Sequence, residues 1–182
     1  MTAEGYALIC GDAAASMAAL PAASVDLVIA DPPYNLGKDY GNNRDDRTLA
    51  DYRTFTRTWL AAAIRLLKPK GSIYVFMGVR FIAELQIMLE RDFGLCFNGW
   101  ITWHYTQGMG RKRGFSPRHE DILFFTRSPD FTFNLDAVRV PQKYFRKRNN
   151  MTGANPGDVW QFSHVHYCSG ERLPHPTQKP EG

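Results

Sequence analysis

The chain has 182 residues, 44% hydrophobic and 13% aromatic, which suits one buried core with a small appendage. It contains no apolar run near the roughly 18 residues of a membrane span and no secretory leader pattern, and its three cysteines, Cys10, Cys96 and Cys168, form no disulfide or zinc framework, so a cytoplasmic protein is expected. The formal net charge is only +4, yet the basic residues bunch into two tracts, which favours a polyanion such as nucleic acid over a small acidic ligand.

In chain order, Ala7-Leu8-Ile9-Cys10 reads as a short apolar strand closed by Gly11-Asp12. An Ala-rich helix follows through Met17 and Leu20 and stops at Pro21. The run Val25-Asp26-Leu27-Val28-Ile29-Ala30 reads as a second buried strand. Strand, helix and strand in this order predict a parallel crossover, and ligands of such sheets collect at the carboxyl ends of the strands. Asp12 and Asp31 both stand at such ends, although Asp12 also suits a helix N-cap.

Asp31-Pro32-Pro33-Tyr34 is the most informative segment, because its four residues can hold a flat heterocycle by an exocyclic amine. The Asp31 carboxylate accepts from the amine. Each proline fixes φ and lacks an N–H, so the carbonyls around Pro32 and Pro33 are expected to point outward as further acceptors. Tyr34 offers a ring face to a base drawn out of a nucleic-acid stack.

A polar loop over 35–48 is long enough to be functional and is expected to move when substrate enters. Tyr52, Phe55, Trp59, Ala62 and Leu66 recur at helical spacing, predicting a packing helix over 49–67 that ends at Lys68-Pro69-Lys70-Gly71. A strand over 72–77 and a helix over 79–90, with Ile82, Leu85 and Leu89 on one face, come next. Strands over 97–105 and 121–126 flank a basic loop carrying Arg111, Lys112, Arg113 and Arg118. From 127 to 172 periodicity weakens, and a second basic tract, Arg139, Lys143, Arg146, Lys147 and Arg148, interleaves with Tyr144 and Phe145. That tract suits phosphate contacts with stacking, or a solvated loop. His164, His166, Cys168 and His175 could in principle bind zinc, but their spacing matches no common finger.

The quartet at 31–34 resembles the signature of methyltransferases that act on the amino groups of adenine or cytosine. His175-Pro176-Thr177-Gln178-Lys179-Pro180 and Asn155-Pro156-Gly157-Asp158-Val159-Trp160 are similar to segments of the permuted, beta-group DNA amino-methyltransferases, and the matched motifs run in the expected order from residue 8 to 180. The resemblance implies an α/β fold: a partial doubly wound, Rossmann-like methyltransferase sheet, mostly parallel, with an antiparallel hairpin at its edge. It implies a catalytic half over 1–126, a target-recognition region over 127–172 and the start of a cofactor-side segment over 173–182. The implied cofactor is S-adenosylmethionine, held by Asp12, Asp31, His175, Thr177, Gln178 and Lys179. The implied partner is double-stranded DNA, contacted by Arg111, Lys112, Arg113, Arg118, Lys143, Arg146, Lys147 and Arg148. Asp31, Pro32, Pro33 and Tyr34 would act on the adenine N6 amine, as in restriction-modification systems. His119-Glu120 is expected to be structural, since transfer to an adenine amine needs little proton abstraction before attack.

The chain departs from its relatives where it stops, at Gly182, because they continue with a helix and a strand ending in a glycine-rich turn that holds the methionine part of the cofactor. Gly108-Met109-Gly110 lies in a basic loop with no helix after it and does not replace that turn. The sheet is therefore expected to lack its cofactor-side central strands, to leave an apolar edge at Leu8, and to need the rest of the enzyme, from the same chain or a second one. Rival readings are a cytosine-N4 methylase, where Ser is commoner in the first motif position, a non-catalytic DNA-binding remnant, and a protein or RNA methylase. Calorimetric titration of these 182 residues with S-adenosylmethionine should show no micromolar binding; a micromolar constant would contradict the expected incompleteness.

Overall fold

The computed structural model describes residues 2–3, 5–41, 44–106, 108, 110–142, 153–165, 169–175 and 177–180. Its elements are β1 (Thr2–Ala3), β2 (Tyr6–Ala7), α1 (Ala13–Ala18), β3 (Val25–Ala30), α2 (Leu49–Leu66), β4 (Leu67–Met77), α3 (Ile82–Ile87) with a π-helical turn over Met88–Asp92, β5 (Cys96–His104), β6 (His119–Thr126), α4 (Leu135–Val138) and β7 (Val159–Gln161). None of the described helices is long and apolar enough to cross a membrane.

The main sheet has the order β3-β4-β6-β5-β7. β3 runs parallel to β4 and β5 parallel to β7, while β6 is antiparallel to both of its neighbours. Four strands thus share one direction, which is the expected mixed α/β sheet. The hairpin of β5 and β6 does not form the edge, however. β7, drawn from the 127–172 region, pairs outside β5 in the register Thr102↔Val159, and the Thr102 N–H donates to the Asp158 carbonyl at 2.7 Å. Backbone groups of β5 that a terminal strand would leave to water are thereby satisfied.

The strand expected at Ala7-Leu8-Ile9-Cys10 does not join this sheet. Only Tyr6 and Ala7 are paired, in a small antiparallel ladder with Thr2 and Ala3. β3 forms the edge of the main sheet on this side, and no described strand bridges it to residues 8–10. Leu8 and Ile9 are consequently 73% and 65% exposed, and Leu27 and Ile29 of β3 are 48% and 66% exposed.

One face of the sheet carries the larger core. α2 turns Tyr52, Trp59, Leu60, Ala63 and Ile64 onto Ile73, Val75 and Met77 of β4 and onto Leu123 and Phe125 of β6. Thr48 starts α2 by accepting from the Asp51 N–H at 3.2 Å. Near its other end, Arg65 donates to the carbonyls of Met17, Ala18 and Leu20, closing the C-terminus of α1. The helix expected from residue 79 begins only at Ile82, because the Phe81 N–H first closes a turn onto the Gly78 carbonyl at 3.2 Å. The opposite face carries a second cluster of Ile101, Trp103, Ile122 and Phe124, against which Tyr74, Phe76, Phe131 and Trp160 pack.

The loop over 35–48 is pinned rather than loose among its described residues. Asn35, at φ +56°, exchanges two hydrogen bonds with the Arg47 backbone, donating to its carbonyl at 2.9 Å and accepting from its N–H at 2.7 Å. The Asp45 carboxylate, 2% exposed as a residue, accepts from the N–H groups of Leu36 and Lys38. Buried polar groups so paired hold a conformation, since breaking each bond strands its partner.

Phe125 is fully buried at the centre of the larger core. Phe125→Ala should lower the unfolding free energy by about 3–5 kcal/mol, read by urea denaturation; an unchanged midpoint would contradict this packing.

Candidate active site

β3 ends at Ala30, which pairs with Val75, and the next residue projects Asp31 from the carboxyl end of the strand. There a cavity of about 760 Å³ opens. Asp31, Pro32, Pro33 and Tyr34 line it from β3, Trp103 and Tyr105 from the end of β5, and Glu120 from the start of β6. The C-terminal segment closes it with His175, Thr177, Gln178 and Lys179.

The two proline carbonyls are not equivalent. The Pro33 carbonyl accepts from the buried Tyr52 hydroxyl at 2.9 Å, so it is turned onto α2 and does not offer the outward acceptor expected of it. This bond fixes the motif to the core. Burial pushes the Tyr52 phenol up to about 12, which keeps it a donor at neutral pH.

Tyr34 lies at the centre of a charged network. Its hydroxyl is 2.9 Å from Asp31 Oδ1 and 2.9 Å from Glu120 Oε2, and a phenol with one proton donates to one of them at a time. Lys179 Nζ donates to the Tyr34 oxygen at 3.2 Å, pairs with Glu120 Oε2, and lies 3.7 Å from Asp31 Oδ1. The same ammonium sits 5.3, 5.2 and 5.1 Å from the ring centroids of Tyr34, Phe76 and Trp103. A cation between aromatic faces is attracted by their quadrupoles.

Partial burial raises the Asp31 carboxyl above its ordinary value, against the lowering pull of the Lys179 charge and of the Tyr34 hydrogen bond; the Glu120 charge adds to the rise. Burial also raises Tyr34 strongly, reinforced by the charges of Glu120 and Asp31. Tyr34 is therefore a fixed neutral donor in this site.

Other residues singled out in the sequence are distributed unevenly. Asp12 caps α1, accepting from the Ala15 N–H at 2.8 Å, and is not among the residues lining the cavity. The Gln178 amide holds its own turn, accepting from the Leu173 N–H at 2.7 Å and donating to the Glu171 carbonyl at 2.8 Å. Arg118 reaches the cavity, whereas Arg111, Lys112 and Arg113 are exposed further along the same loop. Gly108 sits beside the Arg118 guanidinium at φ +131°, a backbone conformation that favours glycine. Lys143, Arg146, Lys147 and Arg148 lie outside the described residues, as do Tyr144, Phe145, His166, Cys168 and Pro176.

Sequence reasoning missed Glu120, Trp103, Tyr105 and His164 as cavity residues. For Glu120 the signal was present in strand alternation: Asp121 faces the larger core beside Met77, which turns Glu120 to the other face, opposite Trp103. His164 lines the cavity, and its buried Nδ1 has no hydrogen-bond partner among the described residues.

Acidic, aromatic and basic side chains are gathered at the carboxyl ends of the parallel strands, which is where open α/β sheets bind their ligands. The family model for DNA methylases matches residues 25–182, and the chain belongs to that family. It is 58% identical over 175 residues to the type II methyltransferase M.HpaI of Haemophilus parainfluenzae, an alignment covering 96% of this chain and 56% of that protein. It is 33% identical to the DNA adenine methyltransferase YhdJ of Escherichia coli K12, with 98% and 64% covered. The chain thus spans little more than half the length of M.HpaI. Among solved structures it is similar to the cytosine-N4-specific PvuII DNA methyltransferase, with a TM-score of 0.67 at 15% identity, covering 88% of this chain and 58% of that one. At that identity the likeness concerns the fold alone.

The raised Asp31 carboxyl has a sign that can be measured. Because it holds its proton more tightly in the folded chain, its stabilising contribution is fully present below the ordinary value of 3.8 and is lost as pH rises through the raised one. Asp31→Asn, which cannot ionise, should flatten that part of the stability curve as pH rises above the ordinary value of 3.8. Thermal melts across this range check it, and an unchanged slope would count against the assignment.

Proposed function

We propose that the whole protein is a site-specific DNA methyltransferase that moves a methyl group from S-adenosylmethionine to the N6 amine of adenine in double-stranded DNA. The observation that carries this reading is the Asp31-Pro32-Pro33-Tyr34 quartet opening into a cavity of about 760 Å³ at the carboxyl end of β3. Such a space takes a single base withdrawn from its stack. The aspartate in the first motif position, and the name of the adenine-modifying relative, favour adenine over the cytosine amine.

S-adenosylmethionine supplies an electrophilic methyl on a sulfonium, and the residues present fit that cationic end, with two carboxylates and the faces of Tyr34 and Trp103 within one cavity. His175, Thr177, Lys179 and Asp31 line the same cavity and are proposed to hold the cofactor, Asp31 toward the sulfonium and Lys179 toward the carboxylate of its methionine part, with Gln178 shaping their turn. Asp12 is assigned to the same cofactor on the resemblance of its strand-end position. The chain's own residues do the rest. Asp31 accepts a hydrogen bond from the amine and fixes its lone pair toward the methyl, and Tyr34 supplies a stacking face. An adenine amine is a poor nucleophile because its lone pair is spread into the ring, so orientation and charge stabilisation carry the acceleration.

Arg118 at the cavity mouth and Arg111, Lys112 and Arg113 beyond it are proposed to contact phosphates, joined by Lys143, Arg146, Lys147 and Arg148. With DNA as substrate, the protein is assigned to the cytoplasm. The open edge of β3, with Leu27 and Ile29 exposed, supports completion of the sheet by further residues of the whole protein or by a second chain.

DNA exposed to the whole protein and digested to nucleosides should contain N6-methyladenine by mass spectrometry. N4-methylcytosine instead would move the assignment to the cytosine amine, and salt-sensitive DNA binding without any methylated nucleoside would leave a non-catalytic binder. Asp31→Ala should lower turnover by about 100-fold; a retained rate would remove Asp31 from the site.

A further inference from the structure

Methyl transfer to an amine creates a cation, and the cavity already contains one. The Lys179 ammonium lies within reach of two carboxylates, at 3.7 Å from Asp31 and paired with Glu120, and is ringed by Tyr34, Phe76 and Trp103 at 5.1–5.3 Å. Carboxylates and aromatic faces around one point make that point favourable for positive charge. Asp31 accounts for one carboxylate of this cage. Glu120 has so far been placed only near the cationic end of the cofactor, with no part in the reaction.

Three observations separate Glu120 from an ordinary strand residue. Its side chain is only 24% exposed and opens into the cavity, unlike the neighbouring Asp121, which accepts from the Trp100 indole N–H at 2.8 Å on the opposite face. Among the described residues its hydrogen-bond partners are Tyr34 and Lys179, both members of the same cavity wall. Its charge therefore neutralises nothing outside the site. It also shares the Tyr34 hydroxyl with Asp31 at an equal 2.9 Å, so the phenol ties the two carboxylates to one centre.

We infer that Glu120 is the second carboxylate of the amine site, sharing with Asp31 the positive charge that develops on the target nitrogen, in a cage that the Lys179 ammonium fills while no base is present. This rests on the reading of a base amine at Asp31. As the nitrogen lone pair forms the N–C bond, the C–S bond breaks with its electron pair left on sulfur, and the nitrogen becomes positive. It then sheds one proton to a carboxylate oxygen of the cage, and the carboxyl returns that proton to solvent. Glu120 lowers the energy of the charged stage, while the neutral amine gains less from it, which is the condition for a catalytic group.

The test compares Glu120→Gln, Glu120→Asp and Asp31→Ala in the whole protein, measuring kcat and KM on unmethylated DNA, DNA affinity by gel shift, and melting temperature. Glu120→Gln keeps the shape and removes the charge. It should lower kcat by about 100-fold while DNA affinity and melting temperature stay at wild-type values, and Glu120→Asp should recover part of the rate. If Glu120→Gln keeps the wild-type kcat while Asp31→Ala loses it, the inference is wrong and the methyltransferase reading stands. A fall in melting temperature that accounts for the lost rate, with no recovery by Glu120→Asp, would make Glu120 structural and equally overturn it. If both Glu120→Gln and Asp31→Ala keep the rate, the reading of the site itself fails.

Discussion

The site depends on one hydrogen bond that has nothing to do with substrate: the Tyr52 hydroxyl of α2 donating to the Pro33 carbonyl at 2.9 Å. A proline has no N–H with which to pair into a sheet, so a Pro-Pro segment leaving a strand is stiff but poorly anchored. The bond from a fully packed helix supplies the anchor. Tyr52 also stacks obliquely on Phe81 with centroids 4.6 Å apart, which ties the motif to α3 as well. Held this way, Asp31 and Tyr34 keep their places at the end of β3, and a catalytic group must be placed to within a fraction of an ångström to act.

Charge balance follows from that fixed position. Two carboxylates in a partly dry cavity would repel one another, and the Lys179 ammonium, from a distant part of the sequence, offsets this while the neutral Tyr34 hydroxyl bridges them. The arrangement joins β3, β6 and the C-terminal segment through side chains alone, 145 residues apart in the case of Tyr34 and Lys179. The C-terminal segment is itself shaped by the Gln178 amide bridging Leu173 and Glu171. Charge balance and the closing of the cavity thus share Lys179.

Local signals carried much of this into the sequence. The helical spacing of Tyr52, Trp59 and Leu66, the apolar runs of β3 and β4, and the Asp-Pro-Pro-Tyr quartet are each set within a few residues, and each was readable. What was not readable depended on contacts distant in sequence. Glu120 looks like any polar residue at the start of a strand until β5 places Trp103 opposite it. The apolar run after Ala7 has strand character, but a strand requires a partner and β3 offers its free edge to none of the described residues. The 35–48 loop is rich in Gly, Asn and Asp, and Asn35 and Asp45 use those polar groups to bridge its two ends, pairings between residues 7 to 12 apart that composition does not reveal. The outward Pro33 carbonyl was expected from backbone stiffness alone, and only the packing of α2 reveals its partner.

The central claim is that this cavity receives a nucleobase by its amine. A crystal structure of the whole protein bound to duplex DNA tests it most directly. The account predicts one base rotated out of the helix against the Tyr34 ring, with its exocyclic nitrogen within hydrogen-bond distance of Asp31 and Lys179 withdrawn from between the carboxylates. A complex with every base still stacked in the duplex, and Lys179 still paired to Glu120, would contradict it.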